Sequence, residues 1–307
     1  MTEKVIETIG NTPVVRLEKI APPDCADIYV KLEYFNPTCS YKDRMALSII
    51  EEAERRGALH QGMTVVECTG GSTGTSLAMV CAIKGYTFHV VSSDAFSKEK
   101  LQTMKAFGAT LEVIHSKTGK ITPDLIPRMI DRVREMSASK ERYWTRQFEN
   151  KDALVGYRKL GKEILAQLPG RIDVFCAAVG TAGMVAGVSE VLKDADAQTK
   201  VVILEPASAP LLSKGVNGFH HVEGVGVGFV PPLLYLSKYD EAMAVEESDA
   251  RAMVRRLAVK EGLLVGTSSG LNIHAAIAIG RKLGPGKRVV TVACDSGLKY
   301  LASGLFD

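Results

Sequence analysis

The sequence predicts an α/β protein built from two three-layer α/β domains, each with a mostly parallel twisted sheet. Three observations carry this. Short apolar runs of strand character alternate with longer segments whose apolar residues recur near period 3.6. The alternation comes in two series, before and after a break near 144–150. Glycine clusters fall where strands give way to helices, at Gly70 and Gly71, at 180–183 and at 266–270. In open α/β sheets that is the end where ligands bind.

In the first series, strands are predicted over 29–33, 64–68, 88–91 and 110–114. A helix is predicted over 44–56, with Met45, Ile49, Ile50 and Ala53 on one face and Gly57 as a stop. Further helices are predicted over 74–84, 98–107, 123–136 and 152–168. In the second series, strands are predicted over 172–179, 200–204 and 288–293. Helices are predicted over 183–192, 247–261, 269–283 and 297–301. The stretch 206–239 is rich in Gly and Pro with weak periodicity, and reads as a long functional loop region. The expected domains are 36–146, and 1–35 together with 147–307.

The chain has 307 residues, 46% hydrophobic and 24% charged, with a net charge of +3. That is enough apolar residue to bury a sizeable core. Lys and Arg are spread along the whole length, so nucleic acid is not an expected partner. No apolar stretch is long enough for a membrane span, and the first ten residues hold no signal-peptide core. Cys25, Cys39, Cys68, Cys81, Cys176 and Cys294 form no CxxC pair. No metal site is therefore expected, and a reduced, cytoplasmic location is the expectation.

Four short constellations carry possible chemistry. Lys42 falls in the first turn of a predicted helix, where the helix dipole disfavours a cation and eases the neutral amine that a Schiff-base lysine needs; a surface lysine is the plainer reading. Gly180, Thr181, Ala182, Gly183 and Met184 follow an apolar strand and open a helix, a place where backbone N–H groups favour a phosphate. A bare turn, or a dinucleotide site using Glu205, stays open there, although the spacing is not G-x-G-x-x-G. Thr69, Gly70, Gly71, Ser72 and Thr73 offer hydroxyls and N–H groups suited to a carboxylate. Ser268 or Ser269 could cap the helix that follows Gly266, or present a hydroxyl to a ring nitrogen.

In this order, these residues resemble the cysteine synthase (O-acetylserine sulfhydrylase) family, within the tryptophan-synthase-like fold of pyridoxal-phosphate enzymes. The resemblance runs nearly end to end. It includes Ile9-Gly-Asn-Thr-Pro13, Asn36-Pro37 with Ser40, Lys42, Asp43 and Arg44, Ser97 with Glu99, and Lys105-Ala-Phe-Gly-Ala109. It continues through Gln147-Phe-Glu-Asn150, Gly224-x-Gly-x-Gly-Phe-x-Pro231, 260–270 and 300–306. The resemblance implies pyridoxal 5'-phosphate in a cleft between the domains. It implies that Lys42 bonds the cofactor and later moves the Cα proton. It also implies that Gly180, Thr181, Ala182, Gly183 and Met184 hold the phosphate, that Ser268 faces the ring nitrogen, and that Ser72 lies by the ring hydroxyl. Thr69, Gly70, Gly71, Ser72, Thr73 and Gln147 are implied to hold the substrate carboxylate. The implied reaction is β-replacement on an activated serine through an α-aminoacrylate, giving cysteine or a related β-substituted amino acid, by a homodimer.

The chain departs from the family form at Gly70 and Ser72, where Ser and Asn are usual, and at Ala182 and Met184, where Gly and Thr are usual. These departures keep two alternatives in play: a β-eliminating lyase (a serine/threonine dehydratase or cysteine desulfhydrase), and a relative with weakened catalysis.

Overall fold

The computed structural model describes residues 4–119, 122 and 124–307. In chain order, the regular elements are β1 (Val14–Arg16), β2 (Asp27–Leu32), α1 (Lys42–Arg55), β3 (Thr64–Cys68), α2 (Ser72–Lys84), β4 (Thr87–Ser93), α3 (Lys98–Ala106), β5 (Thr110–Ile114), α4 (Leu125–Met136), β6 (Arg142–Trp144) and α5 (Ala153–Gln167). There follow β7 (Val174–Ala178), α6 (Gly183–Ala195), β8 (Lys200–Pro206), α7 (Leu211–Lys214), β9 (Glu241–Val245), α8 (Glu247–Glu261), α9 (Thr267–Leu283) and β10 (Arg288–Ala293). The chain forms two compact units, Met1–Ile9 with Lys42–Ala153, and Gly10–Tyr41 with Leu154–Asp307.

The first unit holds a four-stranded sheet, ordered β5-β4-β3-β6 and parallel throughout. Successive side chains of a strand point to opposite faces, and here both faces are dry. Val65, Phe88 and Val90 pack with Ala46 and Ile50 of α1, Leu77 and Val80 of α2 and Met104 of α3. Their neighbours Val66, Cys68 and Val91 pack with Leu125, Met129 and Val133 of α4. That is why the strands read as apolar runs rather than as alternations. Pro123, the expected start of α4, lies outside the described residues.

The second unit holds a six-stranded sheet, ordered β1-β2-β10-β7-β8-β9, with only the β1–β2 pair antiparallel. Val174, Cys176, Val202 and Leu204 share a core with Met253 and Leu257 of α8 and with Leu271 and Ile277 of α9. The alternate residues Phe175, Ala177, Val201 and Ile203 are buried as well, as a sheet covered on both faces requires. The stretch 206–239 is not wholly irregular: it contains α7 and a 3-10 helix over Pro232–Leu236. The last predicted helix is a 3-10 helix over Gly297–Ser303. Among the described residues, no helix is long and apolar enough to cross a membrane.

Candidate active site

In the first unit, Lys42 is the first residue of α1 and is 7% exposed. The loop 69–73 joins β3 to α2, and the strand end fixes it. Thr69 N–H donates to the Val91 carbonyl at 3.0 Å, and Gly71 N–H donates to Thr69 Oγ1 at 3.2 Å. The buried Thr73 hydroxyl donates to Gln147 Oε1 at 2.8 Å, while Gln147 Nε2 donates to the Cys68 carbonyl at 2.9 Å. Thr73 and Gln147, 74 positions apart, therefore form one buried polar group.

Glu67 holds that group in place. It is 1% exposed, and its carboxylate accepts from Thr145 Oγ1 at 2.6 Å, from Gln147 N–H at 2.9 Å, from Cys68 N–H at 2.8 Å and from Trp144 Nε1 at 3.2 Å. Burial pushes the Glu67 carboxyl above its ordinary pKa, although these hydrogen bonds pull it back. In Glu67→Gln, the amide NH2 faces donors and cannot accept. A loss of about 1–3 kcal/mol is expected, read as a lower urea midpoint. A carboxyl with a raised folded pKa favours the folded state most at pH below its unfolded value, and that contribution fades as pH rises through the folded value. The deficit of Glu67→Gln is thus expected to be largest in acid and to shrink as pH rises.

Gly70 has a specific neighbour. A Cβ built on it would lie 2.0 Å from Cγ of Phe96, which is far inside any contact distance. The ring occupies the place where the family's usual serine side chain would stand. Gly70→Ser alone is expected to cost about 1–3 kcal/mol through overpacking. Paired with Phe96→Ala it should recover much of that loss, a coupling that a double-mutant cycle in urea measures.

In the second unit, the turn 180–184 leaves β7 and opens α6. A Cβ on Gly180 would meet the Gly224 carbonyl oxygen at 2.1 Å, and Gly226 N–H donates to the Val179 carbonyl at 3.1 Å. The loop after residue 223 thus lies directly on the turn. Ala182 sits in the left-handed region with φ 66°, which costs a non-glycine residue roughly 1–2 kcal/mol. The first N–H groups of α6 lack intrahelical partners, and the first turn of α6 has no acidic residue. The Thr181 hydroxyl, on a residue 6% exposed, makes no hydrogen bond to another described residue.

Helix α9 begins at Thr267 with Gly266 as its N-cap, so neither Ser268 nor Ser269 caps it. The cap expectation is corrected here. Ser269 Oγ instead accepts from Cys294 N–H at 2.8 Å. Asn272 accepts from Ala178 N–H and donates to the Val292 carbonyl, both at 2.8 Å. These bonds fasten the start of α9 to β7 and β10. The hydroxyl of Ser268, a residue 7% exposed, makes no hydrogen bond to another described residue. Beside Gly266, Asp295 accepts from the Tyr300 hydroxyl at 2.6 Å, and burial with this carboxylate holds the Tyr300 pKa well above its usual value.

In the second unit, the 180–184 turn offers backbone N–H groups and a hydroxyl with no partner among the described residues, and the start of α9 offers another such hydroxyl. In the first unit there is a buried lysine, Lys42. Each suits one part of pyridoxal phosphate. Most of the chain matches accordingly. The family model "pyridoxal-phosphate dependent enzyme" covers residues 5–295. The chain belongs to this family. Pyridoxal phosphate is therefore its cofactor, and the chain is an enzyme. It is 41% identical to a cysteine synthase from Staphylococcus aureus over 99% of its own length and 97% of that protein's. Among solved structures it resembles an O-ureido-L-serine synthase (36% identity, TM-score 0.91, covering 100% of this chain and 96% of that one). It also resembles a hydrogen sulfide-producing enzyme from Fusobacterium nucleatum (36% identity, TM-score 0.90, covering 98% and 100%).

Sequence reasoning singled out Lys42, the 69–73 loop, Gln147, the 180–184 turn and Ser268. It missed Glu67, Phe96, Asn272 and Asp295. Glu67 was signalled by a lone carboxylate inside an apolar strand, a residue that is buried only when it is partnered.

Proposed function

We propose that the enzyme catalyses β-replacement on an O-substituted serine, giving cysteine or a related β-substituted amino acid. The similarity to a cysteine synthase over nearly the full length of both chains carries this reading. When bound, pyridoxal phosphate supplies the electron sink that makes the substrate's Cα proton acidic. The rest falls to the chain's own residues. Lys42 would hold the cofactor covalently, and its freed amine would take the proton from Cα. The backbone of 180–184 and the Thr181 hydroxyl hold the phosphate. Ser268 presents a neutral hydroxyl to the ring nitrogen. Ser72 would face the ring hydroxyl. The loop 69–73 with Gln147 binds the substrate carboxylate, with Glu67 fixing Gln147 from behind. Its substrates are small amino acids. A cytoplasmic homodimer fits the family resemblance and six cysteines that are all free.

A second reading, β-elimination, is favoured by Gly70 under the Phe96 ring, because this removes a side-chain donor from the carboxylate loop. Mass spectrometry of the products from O-acetylserine with and without sulfide separates the two readings. Cysteine in proportion to sulfide supports replacement. Pyruvate at the same rate in both reactions supports elimination and overturns replacement.

A further inference from the structure

The segment 142–150 has two faces. Thr145 and Gln147 are buried and bond inward to Glu67. Arg142, Trp144 and Arg146 instead line an open cavity of about 500 Å³ within the first unit, together with Arg56 and Lys151. That volume falls in the range of small-molecule sites, roughly 300–1,000 Å³. Arg56 is committed to Asp152 at 2.6 Å and to the Tyr143 hydroxyl at 3.2 Å. The side chains of Arg142, Arg146 and Lys151 form no ion pair with a described residue, and Glu149 is the only carboxylate in the lining. Three cations without an ion pair among the described residues thus face one carboxylate.

The cavity is also shaped. The Arg146 guanidinium lies 5.2 Å from the Trp144 ring centroid, and its backbone is in the left-handed region, φ 49°. A non-glycine residue held there is strained. Guanidinium forks recognise phosphate and carboxylate oxygens in pairs, and the indole beside them offers a flat face.

We infer that this cavity binds a small polyanion, one carrying two or more phosphate or carboxylate groups, and that its occupancy acts on substrate binding. The connection is short. Trp144 Nε1 and Gln147 N–H donate to the two oxygens of the same Glu67 carboxylate, at 3.2 and 2.9 Å. A ligand that shifts the indole shifts the carboxylate, and with it Gln147. This second step rests on the proposed role of Gln147; the binding itself does not.

Trp144 is the chain's only tryptophan, so its fluorescence reports on the cavity directly. Inorganic pyrophosphate, citrate and ATP are titrated in turn into the holoenzyme at fixed ionic strength, with sodium chloride as the control. A saturable fluorescence change is expected with at least one of the three, and which one responds shows whether phosphate, carboxylate or a ring-bearing phosphate is preferred. In Arg142→Gln with Arg146→Asn (asparagine tolerates the left-handed backbone) half-saturation should move up about tenfold or more, while cofactor absorbance and probe-free turnover stay as in the wild type. An equal response to chloride, no saturable change, or a variant that responds like the wild type overturns the site. A saturating probe should also shift the KM for the amino-acid substrate, and Glu67→Gln should bind the probe without that shift. Saturable binding with an unmoved KM overturns the coupling. Saturable binding in an enzyme that performs no β-replacement overturns the proposed function and leaves the site standing.

Discussion

Lys42→Ala is expected to abolish the visible absorbance of the lysine-bound cofactor and to lower kcat/KM by at least ~10²–10⁴-fold, the scale of one lost acid–base group. The reasoning begins with placement. Lys42 opens α1 and is almost wholly buried. Its amine, once neutral, is a nucleophile able to bond an aldehyde. Lys42→Arg keeps the charge but cannot form the bond, so it should fail equally in activity. Absorbance spectra and steady-state rates check both variants. A variant that retains a lysine-type visible band would place the cofactor bond on another residue.

The second large effect is expected at Gly180. Gly180→Ala brings a methyl group to 2.1 Å from the Gly224 carbonyl oxygen, and a backbone oxygen cannot turn aside like a side-chain tip. The turn or the 224–228 loop must move. Overpacking of this kind costs about 1–3 kcal/mol, and the distortion falls on the N–H groups assigned to the phosphate. At 1.4 kcal/mol per tenfold, the apparent Kd for pyridoxal phosphate should rise roughly tenfold to a hundredfold, with a lower Tm. Equilibrium dialysis of the cofactor gives the first number and a thermal scan gives the second. Wild-type affinity in this variant would remove the 180–184 turn from the phosphate site.

Much of the fold could be read from the residues because a buried parallel sheet leaves a plain trace. β3, β7 and β10 are mostly apolar runs, and each, like β5, lies within two residues of its expected place at either end. What escaped was short or atypical. β1 and β6 have three residues each, too few to show a period. β9 reads Glu-Ala-Met-Ala-Val, poor in β-branched residues, and it lies at a sheet edge where packing asks little of its sequence. The site divided along a similar line. Glycine turns and a lysine at a helix start are local signals, so they could be found. The bonds of Glu67 to Thr145 and Gln147, the Phe96 ring over Gly70, and Asn272 between two strands join residues far apart in sequence, and only the folded chain brings them together. Ser268 and Ser269 show the limit of local rules. Both look like helix caps, yet the cap is Gly266, which frees one hydroxyl and commits the other to Cys294.

The most direct test of β-replacement is a single-turnover spectrum of the holoenzyme. O-acetylserine is added first, and sulfide second. The first addition should shift the visible cofactor band, and the second should restore it with one cysteine formed per site. A shifted band that returns without sulfide, leaving pyruvate, would contradict the account, as would a band that acetylserine leaves unmoved.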